Sequence, residues 1–235
     1  MRASRGRPLL GPSGRIWAGW LLAACVILVT GLGAAFHGQT RADGFDSAVD
    51  SPFITSFGGH YHLLLWLAYP GTLVPAIVIS VAVAAYCLIT GRRGGAVLAL
   101  AAVPAATALD DEALKQVFDR TYLGSLSFPS GHTTSIVSLT AMLAVLLLIP
   151  PQRPGTRPAR VLIVAAGCAV SALVASAVIA LRWHYFTDTV AGAAVGVGTV
   201  CALALILDLV LARHAPRSAV ATTQASTSAS SRHAS

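Results

Sequence analysis

The sequence predicts an all-α protein, a polytopic membrane bundle of about six transmembrane helices with both termini cytoplasmic. Three observations predict it. Of the 235 residues, 55% are hydrophobic and only 11% are charged, against about 25% charged in a soluble domain. Six apolar stretches approach the roughly 20 residues needed to cross a hydrocarbon core. The arginines between those stretches alternate in density from loop to loop.

The first stretch spans 16–36. Arginines precede it and small residues (Gly33, Ala34, Ala35) end it, as in a leader peptide. Its apolar core exceeds the roughly 7 to 15 residues of such a segment, so it reads as a retained helix. The second spans 71–90, preceded by a short helix over 62–69, and the third, 95–109, is short. The fourth, fifth and sixth span 133–150, 159–181 and 189–212. Pro150 to Gly155 forms a turn. The Ser-, Thr- and Ala-rich segment from Ala215 onward lacks the apolar content to fold and reads as disordered. The domain plan is therefore a tail over 1–15, a membrane domain over 16–212 and a second tail over 213–235.

Orientation follows from the excess of basic residues in cytoplasmic loops. One set of loops holds Arg2, Arg5, Arg7, Arg15, Arg92, Arg93, Arg153, Arg157, Arg160, Arg213, Arg217 and Arg232. The other holds Arg41, Lys115, Arg120 and Arg182. The poorer set faces outward. The net charge of +7 is thus spread over short loops and forms no single basic face, which excludes a nucleic-acid partner. Cys25, Cys87, Cys168 and Cys201 all fall in apolar stretches without metal or redox spacing, and read as small core residues. No carboxylate cluster suits Mg²⁺, and the residues call for neither metal nor cofactor.

The outward loops concentrate reactive side chains. Lys115 is the only lysine of the chain. In Phe128-Pro129-Ser130-Gly131-His132, the proline and glycine interrupt the chain just before the fourth helix. Ser130 is a candidate cap. The helix N-terminus behind it attracts anions through free N–H groups and the helix dipole. Gly131 lets a phosphate approach the backbone, and His132 stands where it can give a proton to a leaving oxygen. His184 and Asp188 are four apart, a spacing that puts them on one helical face, where the carboxylate orients the imidazole for attack. Lys115 and Arg120 supply fixed positive charge for phosphoryl oxygens. Asp110, Asp111, Glu112 and Asp119 either pair with the site cations or face water, the second being the preferred reading; His60 and His62 read as interfacial and Asp208 as a polar contact. The loop 37–60, with Asp43, Asp46 and Asp50, is a candidate cover for the site.

These residues resemble the type 2 phosphatidic acid phosphatase superfamily, which also includes bacterial acid phosphatases and vanadium haloperoxidases. Its three motifs are Lys, six residues, Arg-Pro; Pro-Ser-Gly-His; and Ser-Arg, five residues, His, three residues, Asp. Pro129 to His132 complete the second, Lys115 matches the first, and His184 and Asp188 match the third. The first motif's Arg-Pro falls on Tyr122 and Leu123, with Arg120 the nearest cation. The third motif's Ser-Arg falls on Ala177 and Val178, with Arg182 one helical turn beyond and able to reach a similar point. The resemblance implies His184 as a nucleophile forming a phosphohistidine, Asp188 as its orienting group and His132 as the acid. It implies Lys115, Ser130 and Gly131 as phosphate holders, and no metal; that Arg120 and Arg182 stand in for the displaced arginines is read from their positions, not from the resemblance.

The implied activity is hydrolysis of a lipid phosphate or pyrophosphate at the outer face of a bacterial plasma membrane. Phosphatidic acid, phosphatidylglycerol phosphate and polyprenyl phosphates are the candidate substrates. The partners are that substrate and the surrounding membrane lipids. Two other readings are a lipid phosphotransferase using the same site and an inactive membrane scaffold or lipid-binding protein. Nothing indicates the halide site of a haloperoxidase.

Overall fold

The computed structural model describes residues 9–149 and 155–213. The expected tail beyond 213 and most of the expected turn at 150–155 lie outside the described residues. The chain is helical almost throughout. Its long helices are α1 (Gly11–Phe36), α4 (Leu73–Ile89), α5 (Arg93–Ala108), α7 (Gly131–Leu148), α8 (Arg157–Ala180) and α9 (Phe186–Arg213). Shorter ones are α2 (Gly44–Phe57), α3 (Tyr61–Ala68) and α6 (Lys115–Phe118). A hairpin of β1 (Thr121–Tyr122) and β2 (Ser125–Leu126), paired Thr121 to Leu126, adds the strands that an all-α reading leaves out. Its two-residue turn holds Leu123 at φ 49° and Gly124 at φ 85°, the both-positive pair of a tight hairpin turn.

Five helical runs are long and apolar enough to span a membrane: Gly11–Phe36, Tyr61–Ile89, Gly131–Leu148, Arg157–Ala180 and Phe186–Ala212. The second joins α3 to α4 through a tight turn at Tyr69–Gly71. Helix α5 is shorter, 16 residues, and lies inside the bundle with Leu98, Ala99, Ala102, Val103 and Ala106 fully buried. It continues through a wider π-helical segment, Leu109–Leu114, into α6. Large apolar side chains such as Trp17, Trp20, Ile27, Val78, Ile89 and Leu162 remain exposed on the bundle's flanks, as lipid-facing residues do. Polytopic helical architecture therefore follows directly.

Small residues let the two central helices approach. A Cβ on Gly192 would lie 2.5 Å from the Ser130 carbonyl oxygen, and one on Gly196 2.9 Å from the Ser138 nitrogen. This small-xxx-small pattern is how membrane helices pack when lipid is as apolar as their own surfaces. Helix α1 begins five residues earlier than expected. Leu9 and Leu10 are buried, and their N–H groups donate to the Asp208 carboxylate, with Arg15 Nε 2.9 Å from the same group. Asp208 thus supplies the α1 N-terminus with acceptors it otherwise lacks, and ties it to the end of α9.

Candidate active site

At the other end of the bundle, the chain builds a cavity of about 790 Å³. Each wall is positioned by a local device. Helix α7 starts at Gly131, with Ser130 as its N-cap. Ser130 makes no capping bond with its side chain; its hydroxyl instead accepts from Thr133 Oγ1 at 3.2 Å. Helix α8 ends in a Schellman motif. Arg182 N donates to the Ile179 carbonyl and Trp183 N to that of Val178. Arg182 occupies the left-handed position at φ 60°, where glycine is normally found. Val178 itself is fully buried in an apolar cluster with Leu64 and Ala68. Arg182 therefore reaches the cavity from a turn, not along a shared helical face.

His184 and Asp188 do not share a helical face either, because α9 begins at Phe186. The N-terminus of α9 is capped from α2, an element the sequence reading leaves as an open loop. Asp46 accepts from Thr187 N at 3.0 Å, and Asp50 accepts from Phe186 N at 3.1 Å. Asp188 itself accepts from Tyr185 N at 3.0 Å. The five-residue connection 181–185 is thus held at both ends.

His184 Nδ1 lies 2.8 Å from the Ser127 carbonyl oxygen and 3.9 Å from Asp188 Oδ2. A carbonyl only accepts, so Nδ1 carries the proton and Nε2 keeps its lone pair. The direct orienting contact expected from Asp188 is therefore made by the Ser127 backbone, which the hairpin delivers. Burial, with help from the Lys115 charge, pushes the His184 pKa down to about 3, so the ring is neutral at ordinary pH. The His132 and His184 ring centroids are 6.4 Å apart, and Trp183 packs 5.4 Å from His132. Two hydrogen-bond lengths of about 3 Å each cover that gap, so one tetrahedral anion can touch both rings.

Arg120 is the main correction. It does not line the cavity; its side chain is fully buried. Its guanidinium pairs with Asp46 through Nη2 and with Asp188 and Thr187 through Nη1. It lies 4.3 Å from the Phe36 and Tyr185 ring centroids. A fully buried arginine needs compensating charge, and two carboxylates here provide it. Arg120 holds Asp188 and α2 in place and is not turned toward a substrate. Asp188 and Ser130 are likewise fully buried behind the wall.

Lys115, Gly131, His132, Arg182 and His184 do line the cavity, together with Asp111, Glu112, Leu123, Leu126 and Trp183. Asp111 is not simply solvated, since its Oδ1 lies 2.6 Å from Lys115 Nζ. Asp110 is fully buried, and burial pushes its pKa up to about 7 against the opposing Lys115 charge. Sequence reasoning placed Asp46 and Asp50 only in a covering loop, without their capping role, and missed Ser127. The cysteines Cys25, Cys87, Cys168 and Cys201 are unpaired and away from the cavity lining.

Fold and cavity define the class: a polytopic helical membrane protein with a histidine- and cation-lined cavity at one end of its bundle. Within that class, residues 97–210 match the model of the PAP2 superfamily. That match covers just under half of the chain and agrees with the resemblance read from its motifs. Among solved structures, it is similar to the crystal structure of a transmembrane PAP2 type phosphatidylglycerolphosphate phosphatase from Bacillus subtilis. The TM-score is 0.63 at 19% identity, covering 85% of this chain and 99% of that one. No curated protein sequence matches the chain. The structural likeness, at this identity, shows a shared fold.

Proposed function

We propose that the protein hydrolyses a lipid phosphate through a phosphohistidine on His184, at the outer face of the plasma membrane. The observation that carries this is the His184 ring, fixed through Nδ1 by the Ser127 carbonyl and facing His132 across a gap of 6.4 Å between ring centroids. The Nε2 lone pair attacks phosphorus. The ester P–O bond breaks, its electron pair leaves with the lipid oxygen, and His132 protonates that oxygen. His132 then takes a proton from water, whose oxygen attacks phosphorus; the P–N bond breaks and its electron pair returns to His184 as inorganic phosphate leaves. Lys115, Arg182 and the N–H groups at the start of α7 surround the phosphoryl oxygens and stabilise their growing charge. Asp188, 3.9 Å from Nδ1, favours the imidazolium that forms, and Arg120 holds Asp188 in place. No step calls for a metal. The outward placement rests on the arginine asymmetry, with Arg15, Arg92, Arg93, Arg157 and Arg160 at the end opposite the cavity.

The test is phosphate release from lipid phosphates by purified protein in detergent, with and without EDTA. Turnover undiminished by the chelator is the expected result, and turnover that vanishes and returns with Mg²⁺ contradicts the mechanism. Trapping of ³²P on His184 after acid-free quenching distinguishes a phosphohistidine from direct attack by water.

A further inference from the structure

The cavity wall carries a charge pattern that this reaction does not use. Among the described residues that line it, the formally charged ones are Asp111, Glu112, Lys115 and Arg182. Two acids face two bases, so the wall has no surplus of positive charge. Lys115, the lysine meant for phosphate, is already engaged. Its Nζ lies 2.6 Å from Asp111 Oδ1 and 3.6 Å from Asp110 Oδ2.

The two carboxyl groups differ. Asp110 is fully buried, and its oxygens make no hydrogen bond within 3.5 Å; its ion-pair partner Lys115 stands 3.6 Å off. A buried polar group left in that state calls for an explanation. Its Oδ2 is 3.2 Å from the point where a Cβ on Gly131 would lie; Lys115 Nζ is 3.5 Å and Asp111 Oδ1 3.6 Å from the same point. Three ionisable groups therefore converge on the N-terminus of α7. Asp110 cannot leave. Asp111 can, because its side chain is 56% exposed and turns out into water at little cost.

We propose that Asp111 competes with the substrate's phosphate for Lys115, and that the Asp111–Glu112 rim makes the cavity select a lipid bearing one phosphate over one bearing a diphosphate. It rests on the reading of the cavity as a phosphate site. A single phosphoryl group displaces Asp111 and takes over Lys115, leaving Arg182 and the helix N-terminus to complete its shell. A second phosphoryl group finds no further cation on the wall, and it meets the displaced Asp111 and Glu112 at close range.

Calorimetric titration of the purified protein in detergent with inorganic phosphate and with pyrophosphate reads this without turnover. Wild type binds phosphate at least as tightly as pyrophosphate. Asp111→Asn tightens phosphate by about three- to fivefold, the scale of a partly exposed charge pair, and tightens pyrophosphate more. Glu112→Gln tightens pyrophosphate with little change for phosphate. Both positions are exposed, and circular dichroism confirms that the variants keep their helices. A wild type that prefers pyrophosphate overturns the proposal. So does binding of neither anion, or an Asp111→Asn protein with both affinities within about twofold of wild type. The hydrolase reading fails separately: a protein that shows these titrations yet releases no phosphate from any lipid keeps this inference and loses that one.

Discussion

At the C-terminal end of α7, two arginines lie against the helix. Arg92 Nη2 donates to the Leu146 carbonyl at 2.9 Å, and Arg160 Nη1 to that of Leu147 at 3.1 Å. At the N-terminal end, Lys115 and Arg182 stand along a cavity beside Gly131 and His132. The side chains are of one kind, but the helix presents opposite poles to them. Cations at a C-terminus answer exposed carbonyls and the negative end of the dipole. Cations at an N-terminus sit beside N–H groups of the same sign. The first arrangement is complete within the protein; in the second, Lys115 is held by the exposed Asp111, a partner that the proposed anion would displace.

The largest expected effect is at the N-terminal end. His184→Ala lowers phosphate release by about 10³-fold or more, since removal of a nucleophile abolishes its covalent route, while helix content stays the same. Equal release by wild type and variant would return the chain to the scaffold reading. Arg120→Ala comes next. It strands Asp46 and Asp188 in a buried site, a loss of about 3 to 5 kcal/mol. Thermal unfolding in detergent measures it, and an unchanged midpoint would deny Arg120 its structural role.

Lys115→Met and Arg160→Ala then compare the two poles directly. The first raises the KM for a lipid phosphate about tenfold, from loss of one charge-assisted contact. The second leaves KM alone and costs about 1 kcal/mol of stability. The same outcome for both would erase the distinction between the poles. The smallest effect is a null one. Because burial lowers the His184 pKa to about 3, its imidazole is protonated only below that pH. NMR of ¹⁵N-histidine-labelled protein should therefore show a neutral Nδ1–H tautomer at pH 7 and still at pH 5. An inflection near the ordinary 6.5 would contradict the buried setting.

Spans, motif order and most of the cavity wall were legible in the sequence, because hydropathy and short-range spacing carry them. His132, His184, Lys115, Gly131 and Arg182 needed only those cues. Arg120 did not follow, because its partner Asp46 is 74 positions away and no local pattern announces the pair. Helix α2 has an aspartate cap at Asp43, whose side chain accepts from Asp46 N. Its apolar periodicity is weak and Pro52 interrupts it, so the segment reads as loop. Ser127 acts through its backbone carbonyl, a group every residue type possesses, so no residue type could have marked it. Arg182 lines the cavity by a route that its sequence position did not suggest: the helix stops at Ala180, and a left-handed turn brings the side chain round.

That turn has a practical consequence. A non-glycine residue there costs about 1 kcal/mol or more relative to glycine, so any protocol that ranks substitutions by sturdiness alone will nominate Arg182→Gly. The resulting protein would melt later and, under the phosphate-site proposal, bind inorganic phosphate less well. If the cavity holds a phosphate as proposed, backbone comfort and anion capture pull this single position in contrary directions, and the natural residue sides with capture.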